Sequence, residues 1–263
     1  MLLAVSLEEL IKIIRRKEMP ALKYSIKTDK GLKRDVNQDA GFVTLFNDST
    51  LFAVVCDGMG GSNAGEVASE MAVKNISERF IAGWRKGISF SSVSNLMITS
   101  FSAANICIYD EAAENSQLQG MGTTAVAAYI EDNRILIANV GDSRVYLLHC
   151  SKLTQVTKDN SLVQELLDNG QISASEIDDY PYKNVITRAL GVDEHVELDF
   201  YDLFWNNGDK LLICSDGLYN FVDDEVIQSI LLDDDVKNKA EMLINTANNN
   251  GGGDNITAVV LAK

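Results

Sequence analysis

Apolar residues recur at helical spacing in three long segments of the chain. Positions three and four apart are apolar in residues 7–18, 64–82 and 92–113. This spacing puts the apolar side chains on one face of a helix, so we expect three amphipathic helices there. The first precedes every other recognisable pattern, and the other two follow one another closely.

Short apolar runs broken by turn residues predict the strands. Residues 40–57 are interrupted at 47–49 by Asn-Asp-Ser, which predicts a hairpin. Residues 122–130 and 134–149 are rich in Thr, Val, Ile and Tyr and flank the turn Glu-Asp-Asn, so they predict a second hairpin. Further strands are expected at Asp209–Cys214 and Ile256–Ala262.

The second half of the chain also carries helix signals. Ser161 and Gln164 have the spacing of a capping box and open a predicted helix that runs to about Asn169, with Gly170 as its stop. A loop-like stretch follows to about residue 185. Two more helices are expected at 223–232 and 235–249.

The order of these elements indicates the fold class. Paired strands come before, between and after paired helices, without the strict alternation that is typical of a parallel sheet. The order predicts an α+β protein in which antiparallel strands form the core and helices cover it. No composition step or linker divides the chain, so we expect one domain.

Composition narrows the set of partners. The 263 residues include 23 Lys and Arg against 38 Asp and Glu, a formal net charge of -15. This charge would repel nucleic acid and anionic membrane surfaces. Glu8, Glu9 and Lys12 come too early for a signal peptide, and 18 apolar residues never run together. We expect a cytoplasmic monomer that binds neither nucleic acid nor membranes.

Cysteine and histidine usage excludes several site types. The four cysteines form no CxxC pair, which argues against structural zinc, and reduced cysteines in apolar stretches fit a cytosolic protein. Cys214 lies in a predicted apolar strand and is expected in the core. His149 and His195 lie in neither GxSxG nor HExxH motifs, which disfavours serine hydrolases and zinc proteases. We expect His149 at a strand end or on the surface.

Aspartates cluster at predicted strand ends. Asp57 follows Phe-Ala-Val-Val-Cys, Asp142 follows a strand and Gly141, Asp216 follows Leu-Leu-Ile-Cys-Ser, and Asp254 comes just before the last strand. An ionised carboxylate near a core is costly unless it is paired or bound to a metal, so four such positions favour a shared cation site. Oxygen ligands indicate magnesium or manganese.

Two other interpretations of these residues are weaker. The Asp-Gly pairs at 57–58 and 216–217 are ordinary turn dipeptides when taken singly, but four aspartates at strand ends, joined by Asp39, favour the metal site. The glycines at 58–61 also suggest a dinucleotide fingerprint with Glu78 as the ribose acid. Asn63 occupies the third glycine position, and Asp57 would face a pyrophosphate, so this match is poor.

The motifs in their order resemble the type 2C, or PPM-class, metal-dependent Ser/Thr protein phosphatases, particularly the bacterial single-domain type. The resemblance covers about residues 23–263, which we expect to form a single catalytic domain after an N-terminal helical extension at 1–22. Eight motifs in family order make it specific. They are RDVNQD (34–39), VVCDGMGGSNAGEVAS (54–69), GMGTTAV (120–126), NVGDSRVYLL (139–148), LTQVTKDNSLVQELLDNGQI (153–172), VITRALG (185–191), LLICSDGL (211–218) and GGDNITAVV (252–260).

The resemblance implies a sandwich of two packed antiparallel sheets flanked by pairs of helices, in α-β-β-α layers. It also implies a centre with two magnesium or manganese ions. Asp57 would bridge both ions, Asp216 and Asp254 would complete the first, and the Gly58 carbonyl with water-mediated Asp39 would serve the second.

Further roles follow from the same resemblance. Asp142 with Asp216 matches a pair that binds a third ion in bacterial relatives. Arg34 would orient the phosphate, and an in-line attack by an ion-activated water would need no protein nucleophile. Residues 160–185 would form a flap beside the site. The implied partners are phosphorylated proteins, with a bacterial-type Ser/Thr kinase acting on the same targets.

Several residues depart from the family pattern. Gln38 stands where many members have an acid, Met59 where eukaryotic relatives carry a histidine, and Asn160 and Tyr180 where bacterial relatives often have histidine. The first 22 residues match none of the motifs. Gln38 is the one support for an alternative, a phosphatase-like module that binds phosphoproteins or regulators without efficient turnover. A phosphatase acting on a regulator of a partner-switching pathway also stays open.

Overall fold

The fold is a sandwich of two antiparallel sheets between two layers of helices. The computed structural model describes residues 21–61, 64–177, 180–235 and 237–263. The predicted helix at 7–18 lies outside these residues. The expected α+β class and layer order are confirmed.

One sheet, here sheet A, has the strand order β1-β11-β10-β7-β8, and the other, sheet B, has the order β2-β3-β5-β6-β9, with β4 paired to β3. The bounds are β1 Lys23–Asp29, β2 Asp39–Asn47, β3 Thr50–Met59, β4 Gly122–Thr123, β5 Ala125–Glu131, β6 Arg134–Val140, β7 Arg144–His149, β8 Lys152–Gln155, β9 Asp199–Phe204, β10 Lys210–Cys214 and β11 Ile256–Ala262.

The helices cover the two outer faces. They are α1 Ala64–Gly83, α2 Phe90–Glu114, α3 Leu162–Asp168, α4 Asp216–Tyr219, α5 Asp224–Leu232 and α6 Lys239–Asn249, with a 3-10 turn at Ala174–Glu176. α1 and α2 pack on sheet B, whereas α4, α5 and α6 pack on sheet A. At α3, the Ser161 hydroxyl accepts the Gln164 N–H at 3.4 Å, as the capping signal predicts.

Alternation along the strands builds three cores. In β3, Leu51, Ala53 and Val55 face sheet A, while Phe52 and Val54 face α1 and α2. Both faces of β3 are therefore buried, which explains its unbroken apolar sequence. The third core lies between sheet A and α4 to α6.

The predicted hairpin of 122–130 with 134–149 is only half right. Ala125–Glu131 pairs with Arg134–Val140 as expected, but the strand breaks at Gly141, and β7 continues in the opposite sheet. Gly141 has a φ of +105°, a conformation that favours glycine. A Cβ there would also lie 2.6 Å from Thr124, so the sharp exit from sheet B depends on this glycine.

Candidate active site

One edge of the sandwich gathers the aspartates that the sequence singles out. A cavity of about 800 Å³ opens there. Loops from both sheets contribute its walls, since Asp57 lies near the end of β3, Asp142 in the turn before β7, and Asp216 at the start of α4. The lining also includes Arg34, Gly58 and Asp254.

Asp57 is held by the neighbouring backbone and two threonines. Its N–H donates to the Thr124 hydroxyl at 3.0 Å, and its carbonyl accepts bonds from the Thr124 N–H and the Thr123 hydroxyl, both at 2.8 Å. These bonds fix the Asp57 backbone without using its carboxylate. Asp57 itself lines the cavity, and its carboxylate lies beside those of Asp39 and Asp216.

The glycines that follow Asp57 and Asp216 are required by close backbone packing. A Cβ on Gly58 would lie 1.9 Å from the Gly65 carbonyl oxygen, and one on Gly217 would lie 1.9 Å from the Asn255 carbonyl oxygen. Neither glycine has the positive φ that the turn interpretation would favour. Each lets an aspartate-bearing segment pack directly on another backbone segment.

Asp39 is a buried carboxylate with one oxygen satisfied. Its Oδ2 accepts a 2.6 Å hydrogen bond from the Ser215 hydroxyl, whereas its Oδ1 has no hydrogen-bond partner among the described residues. Burial raises the pKa of Asp39 to about 6, an effect that the Ser215 and Thr257 hydroxyls partly offset. A buried acceptor without a partner is costly, and a divalent cation or a water bound to one would satisfy it.

The other carboxylates repel one another. Burial first, then the charges of Asp39, Asp216 and Asp142, hold the pKa of Asp57 well above its ordinary value. Burial and Asp216 raise the pKa of Asp142 to about 7, and burial and neighbouring Asp254 raise that of Asp216 to about 7. Such mutual destabilisation marks a site whose charge balance calls for bound cations.

The donor set fits hard divalent ions, although the side chains do not by themselves form a closed cage. Across the described ranges, no three Asp, Glu, His or Cys side chains have the arrangement of a coordination site. The oxygen donors, the unpartnered Oδ1 of Asp39 and the raised pKa values together fit magnesium or manganese with several waters, since magnesium usually keeps several. The predicted ligand roles stay predictions.

Arg34 is the cationic residue of the predicted set. Its Nη2 donates to Asp254 Oδ2 at 2.8 Å, and its side chain is 51% exposed at the cavity mouth. The hydrogen bond to the Asp254 carboxylate is the main reason that the pKa of Arg34 is raised. The guanidinium carries five N–H donors in a planar fork, so it can hold Asp254 and still face a phosphate oxygen.

The residues that depart from the family pattern lie in different surroundings. Gln38 donates its side-chain amide to the Gly61 carbonyl at 2.7 Å, and Met59 lines the cavity. Asn160 is buried at the base of the predicted flap, whereas Tyr180 contacts the Tyr182 ring at a centroid distance of 6.4 Å. Asn160 and Tyr180 do not line the cavity, whereas Asn184 and Ile186, near the end of the predicted flap, do.

The predictions for Cys214 and His149 agree with the structure. Cys214 is fully buried, and burial raises its pKa. His149 lies at the end of β7, exposed, with Nδ1 2.9 Å from Asp209 Oδ2. Neither residue lines the candidate site.

Sequence reasoning missed the polar residues that support the aspartates. Ser215 joins Asp39 to the Thr257 N–H, and Asn255 accepts the Gln38 N–H at 2.8 Å while donating to Lys30 and Val36 carbonyls. Both lie beside an aspartate within the quoted motifs, which is the one signal that could have indicated them. Their partners are distant in sequence, so periodicity could not supply the contacts.

Comparison with known proteins defines the chain as an enzyme, a protein phosphatase. A family model described as Protein phosphatase 2C matches residues 32–251, so the chain belongs to the protein phosphatase 2C family, and the resemblance is confirmed. It is 40% identical over 241 residues to the serine/threonine phosphatase stp of Listeria welshimeri, covering 90% of this chain and 94% of that protein.

Solved structures agree with this assignment. The Streptococcus agalactiae serine/threonine phosphatase superposes with a TM-score of 0.86 at 33% identity, over 92% of this chain and 99% of that one. The catalytic domain of the phosphatase PstP, in complex with two manganese ions, gives a TM-score of 0.79 at 35% identity over 92% and 98%. Among the described residues, no helix has the length and apolarity needed to cross a membrane.

Proposed function

We propose that the chain hydrolyses phosphoserine and phosphothreonine in proteins with magnesium or manganese as cofactor. The observation that carries the proposal is the convergence of Asp57, Asp142, Asp216 and Asp254 with Arg34 around one cavity, with Asp39 buried beside them. The manganese found with PstP, a 35% identical protein, supports the choice of ion. Two ions held by Asp57, Asp216, Asp254, Asp39 and the Gly58 carbonyl, and a third by Asp142 with Asp216, are our assignment.

In this proposal, Arg34 binds and orients the phosphate group of the substrate. When bound, the ions supply charge neutralisation and lower the pKa of a water that attacks phosphorus. The Arg34 fork, kept in place by Asp254, presents N–H donors where negative charge grows on the phosphoryl oxygens. Among the described residues that line the cavity there is no cysteine or histidine to act as a nucleophile, and our proposal assigns the attack on phosphorus to water.

The broader role is also our proposal. Residues 23–263 form the catalytic domain, and residues 160–185 act as its flap and influence substrate choice. The physiological substrates are the targets of a bacterial-type Ser/Thr kinase. The strongly acidic composition supports a cytoplasmic monomer that avoids nucleic acid and anionic membranes.

The test is manganese-dependent release of phosphate from a phosphothreonine peptide by purified protein. Asp216→Ala should reduce the rate by at least about 100-fold, because the lost carboxylate is one that we assign to two ions. Asp110→Ala, which removes an equal charge from an exposed position on α2, is the matched control and should be fully active. Unchanged activity in Asp216→Ala would refute the assignment.

A binding module without turnover is the second candidate. Its support is Gln38, whose neutral amide holds the Gly61 carbonyl where an acid would add a charged ligand. Calorimetry with a phosphopeptide at high manganese separates the two functions. Binding without phosphate release would favour the module, whereas turnover that Gln38→Glu increases would show a working enzyme with a weakened second ion.

A further inference from the structure

Asn160 joins two parts of the molecule that are distant in sequence. It is 4% exposed and lies just before α3, at the start of the flap, which we define as residues 160–185. Its Oδ1 accepts the Gly141 N–H at 2.9 Å, and its own N–H donates to the Gly141 carbonyl at 2.9 Å. These reciprocal bonds fix both sides of Gly141 to one residue.

Gly141 is the point at which the chain leaves sheet B, and the next residue is Asp142. The Asp142 carbonyl accepts the Tyr219 hydroxyl at 3.0 Å, so the turn that carries this carboxylate is held by Asn160 on one side and by α4 on the other. A shift of Gly141 would therefore move Asp142 relative to Asp216, which begins α4. The direction of the Asp142 side chain depends on both attachments.

The remaining bonds of Asn160 reach the other end of the flap. Its Nδ2 donates to Asp199 Oδ2 at 2.8 Å, and Asp199 in turn receives both terminal nitrogens of Arg188, at 3.1 and 2.8 Å. The Asn160 carbonyl accepts the Thr187 N–H at 2.8 Å. Asn160 thus ties the beginning of the flap to the segment directly after it.

The chemistry of the amide explains why this position needs both a donor and an acceptor. Gly141 offers an N–H, whereas Asp199 offers a carboxylate oxygen, so the residue between them must accept on one atom and donate on the other. An aspartate could accept from Gly141 but would place a second negative charge beside Asp199. An alanine would leave the buried Gly141 N–H without a partner.

We propose that Asn160 is a positioning residue of the phosphatase, which sets the Asp142 carboxylate and couples it to the base of the flap. The proposal rests on the proposed function, because that function gives Asp142 its role toward an ion. Groups that orient metal ligands from behind commonly change metal affinity by about 10- to 100-fold when they are replaced.

The chain contains a matched control for a buried amide of this kind. Asn105 is 1% exposed, accepts the Gly191 N–H at 2.8 Å through Oδ1 and donates through Nδ2 to the Asp193 and Glu194 carbonyls. Gly191, like Gly141, has a positive φ, of +85°. Neither Asn105 nor its hydrogen-bond partners line the candidate site, so its replacement should reproduce the loss of stability without disturbing the proposed function of Asn160.

The experiment compares Asn160→Asp, Asn105→Asp and the double variant Asn160→Asp/Asp199→Asn. Manganese binding is measured by calorimetry, the manganese concentration for half-maximal hydrolysis is measured with a phenyl phosphate ester, and protection of the Gly141 amide is measured by hydrogen exchange. In Asn160→Asp, repulsion from Asp199 should push the new carboxylate away from its place and strain its bond to the Gly141 N–H. We therefore expect the half-maximal manganese concentration to rise about tenfold and Gly141 protection to fall. In the double variant, the amide of the new asparagine at 199 donates to the new carboxylate at 160. This variant should reverse at least half of the change in the logarithm of the half-maximal manganese concentration.

Asn105→Asp should lower the unfolding temperature while the manganese dependence stays within about twofold of wild type. An unchanged manganese dependence in Asn160→Asp, or an equal change in Asn105→Asp, overturns the proposal. If Asn160→Asp does not fold, Asp199→Ala replaces it, with an expected rise of about threefold, and no rise overturns the proposal.

Failure of the proposed function would look different. In that case wild-type protein would show neither manganese binding nor manganese-dependent hydrolysis, whatever residue stands at 160. The hydrogen-exchange readout at Gly141 would still report whether Asn160 holds the turn.

Discussion

Replacement of Asp216 by asparagine should stabilise the ion-free protein while it abolishes catalysis. Burial and the neighbouring carboxylates raise the pKa of Asp216 from 3.8 to about 7. A rise of this size corresponds to at most about 4 kcal/mol of destabilisation when the carboxylate is ionised. Asparagine has nearly the same shape without the charge.

The expected net gain is smaller than that ceiling. Asp216 is the first residue of α4, where a negative charge gains about 0.5 kcal/mol from the helix terminus. Part of the repulsion that raises the pKa of Asp216 also raises the pKa of its neighbours, so the shifts of the individual carboxylates cannot be added together. We therefore expect Asp216→Asn to increase the free energy of unfolding by about 2–3 kcal/mol at pH 8 without divalent ions.

The pH dependence gives the sign of the effect. Folded protein binds more protons than unfolded protein between about pH 4 and pH 7, because the carboxyl pKa values are raised on folding. The stability of ion-free wild-type protein should therefore fall as the pH rises through this window, and the advantage of Asp216→Asn should shrink toward pH 5.

Urea unfolding in a chelator at pH 5 and pH 8 measures both quantities. Saturating manganese supplies the control, since it should stabilise wild-type protein more than the variant. A variant that is less stable than wild type at pH 8 without ions would refute the reasoning. It would mean that the carboxylate is held by favourable contacts and does not suffer net repulsion.

Three further predictions concern packing and the phosphate contact. Gly58→Ala should destabilise the fold by at least about 3 kcal/mol in urea unfolding, because its Cβ would lie 1.9 Å from the Gly65 carbonyl oxygen. A variant with wild-type stability would contradict that geometry. Phe80→Ala should cost about 3–5 kcal/mol in the same assay, since the ring is fully buried under sheet B, and a loss below about 1 kcal/mol would contradict this. Arg34→Lys should lower kcat/KM for a phosphopeptide about 100-fold with little change in the unfolding temperature. The reason is that lysine lacks the planar fork with which arginine can hold Asp254 and a phosphate oxygen together. A variant that retains the wild-type kcat/KM would exclude this double contact.

Strongly patterned elements could be predicted from the sequence. The helices at 64–83 and 90–114 and the buried strands β3, β10 and β11 carry long apolar periods or unbroken apolar runs, so local sequence and tertiary burial agree. The family resemblance then supplied the layer order. These elements form the layers on which the candidate site is built.

Elements without such patterns could not be predicted. β1 reads KYSIKTD and is largely exposed, and its strand conformation comes from seven paired residues of β11. β8 is four mostly exposed residues that complete the far edge of sheet A. Sequence distance hides such pairing, because a polar edge strand has no period that separates it from a loop.

The same limit applies to the candidate site. The aspartates are recognisable because ionisable residues directly beside buried strands are unusual. Ser215 contacts Asp39, which is 176 positions away in sequence, and Asn160 contacts Asp199, which is 39 positions away. In its own segment, each of these two supporting residues looks like an ordinary polar residue. Their function depends on which loops meet, and that is a property of the assembled sandwich.

The position of β11 has a consequence for the order in which the enzyme becomes active. This strand lies between β1 and β10, and Asp254 comes just before it in the chain. During synthesis from the N-terminus, β1 has no neighbour in sheet A until residues 256–262 have emerged. A nascent chain that already holds a complete sheet B would thus remain inert, and dephosphorylation would begin only when the final strand closes sheet A.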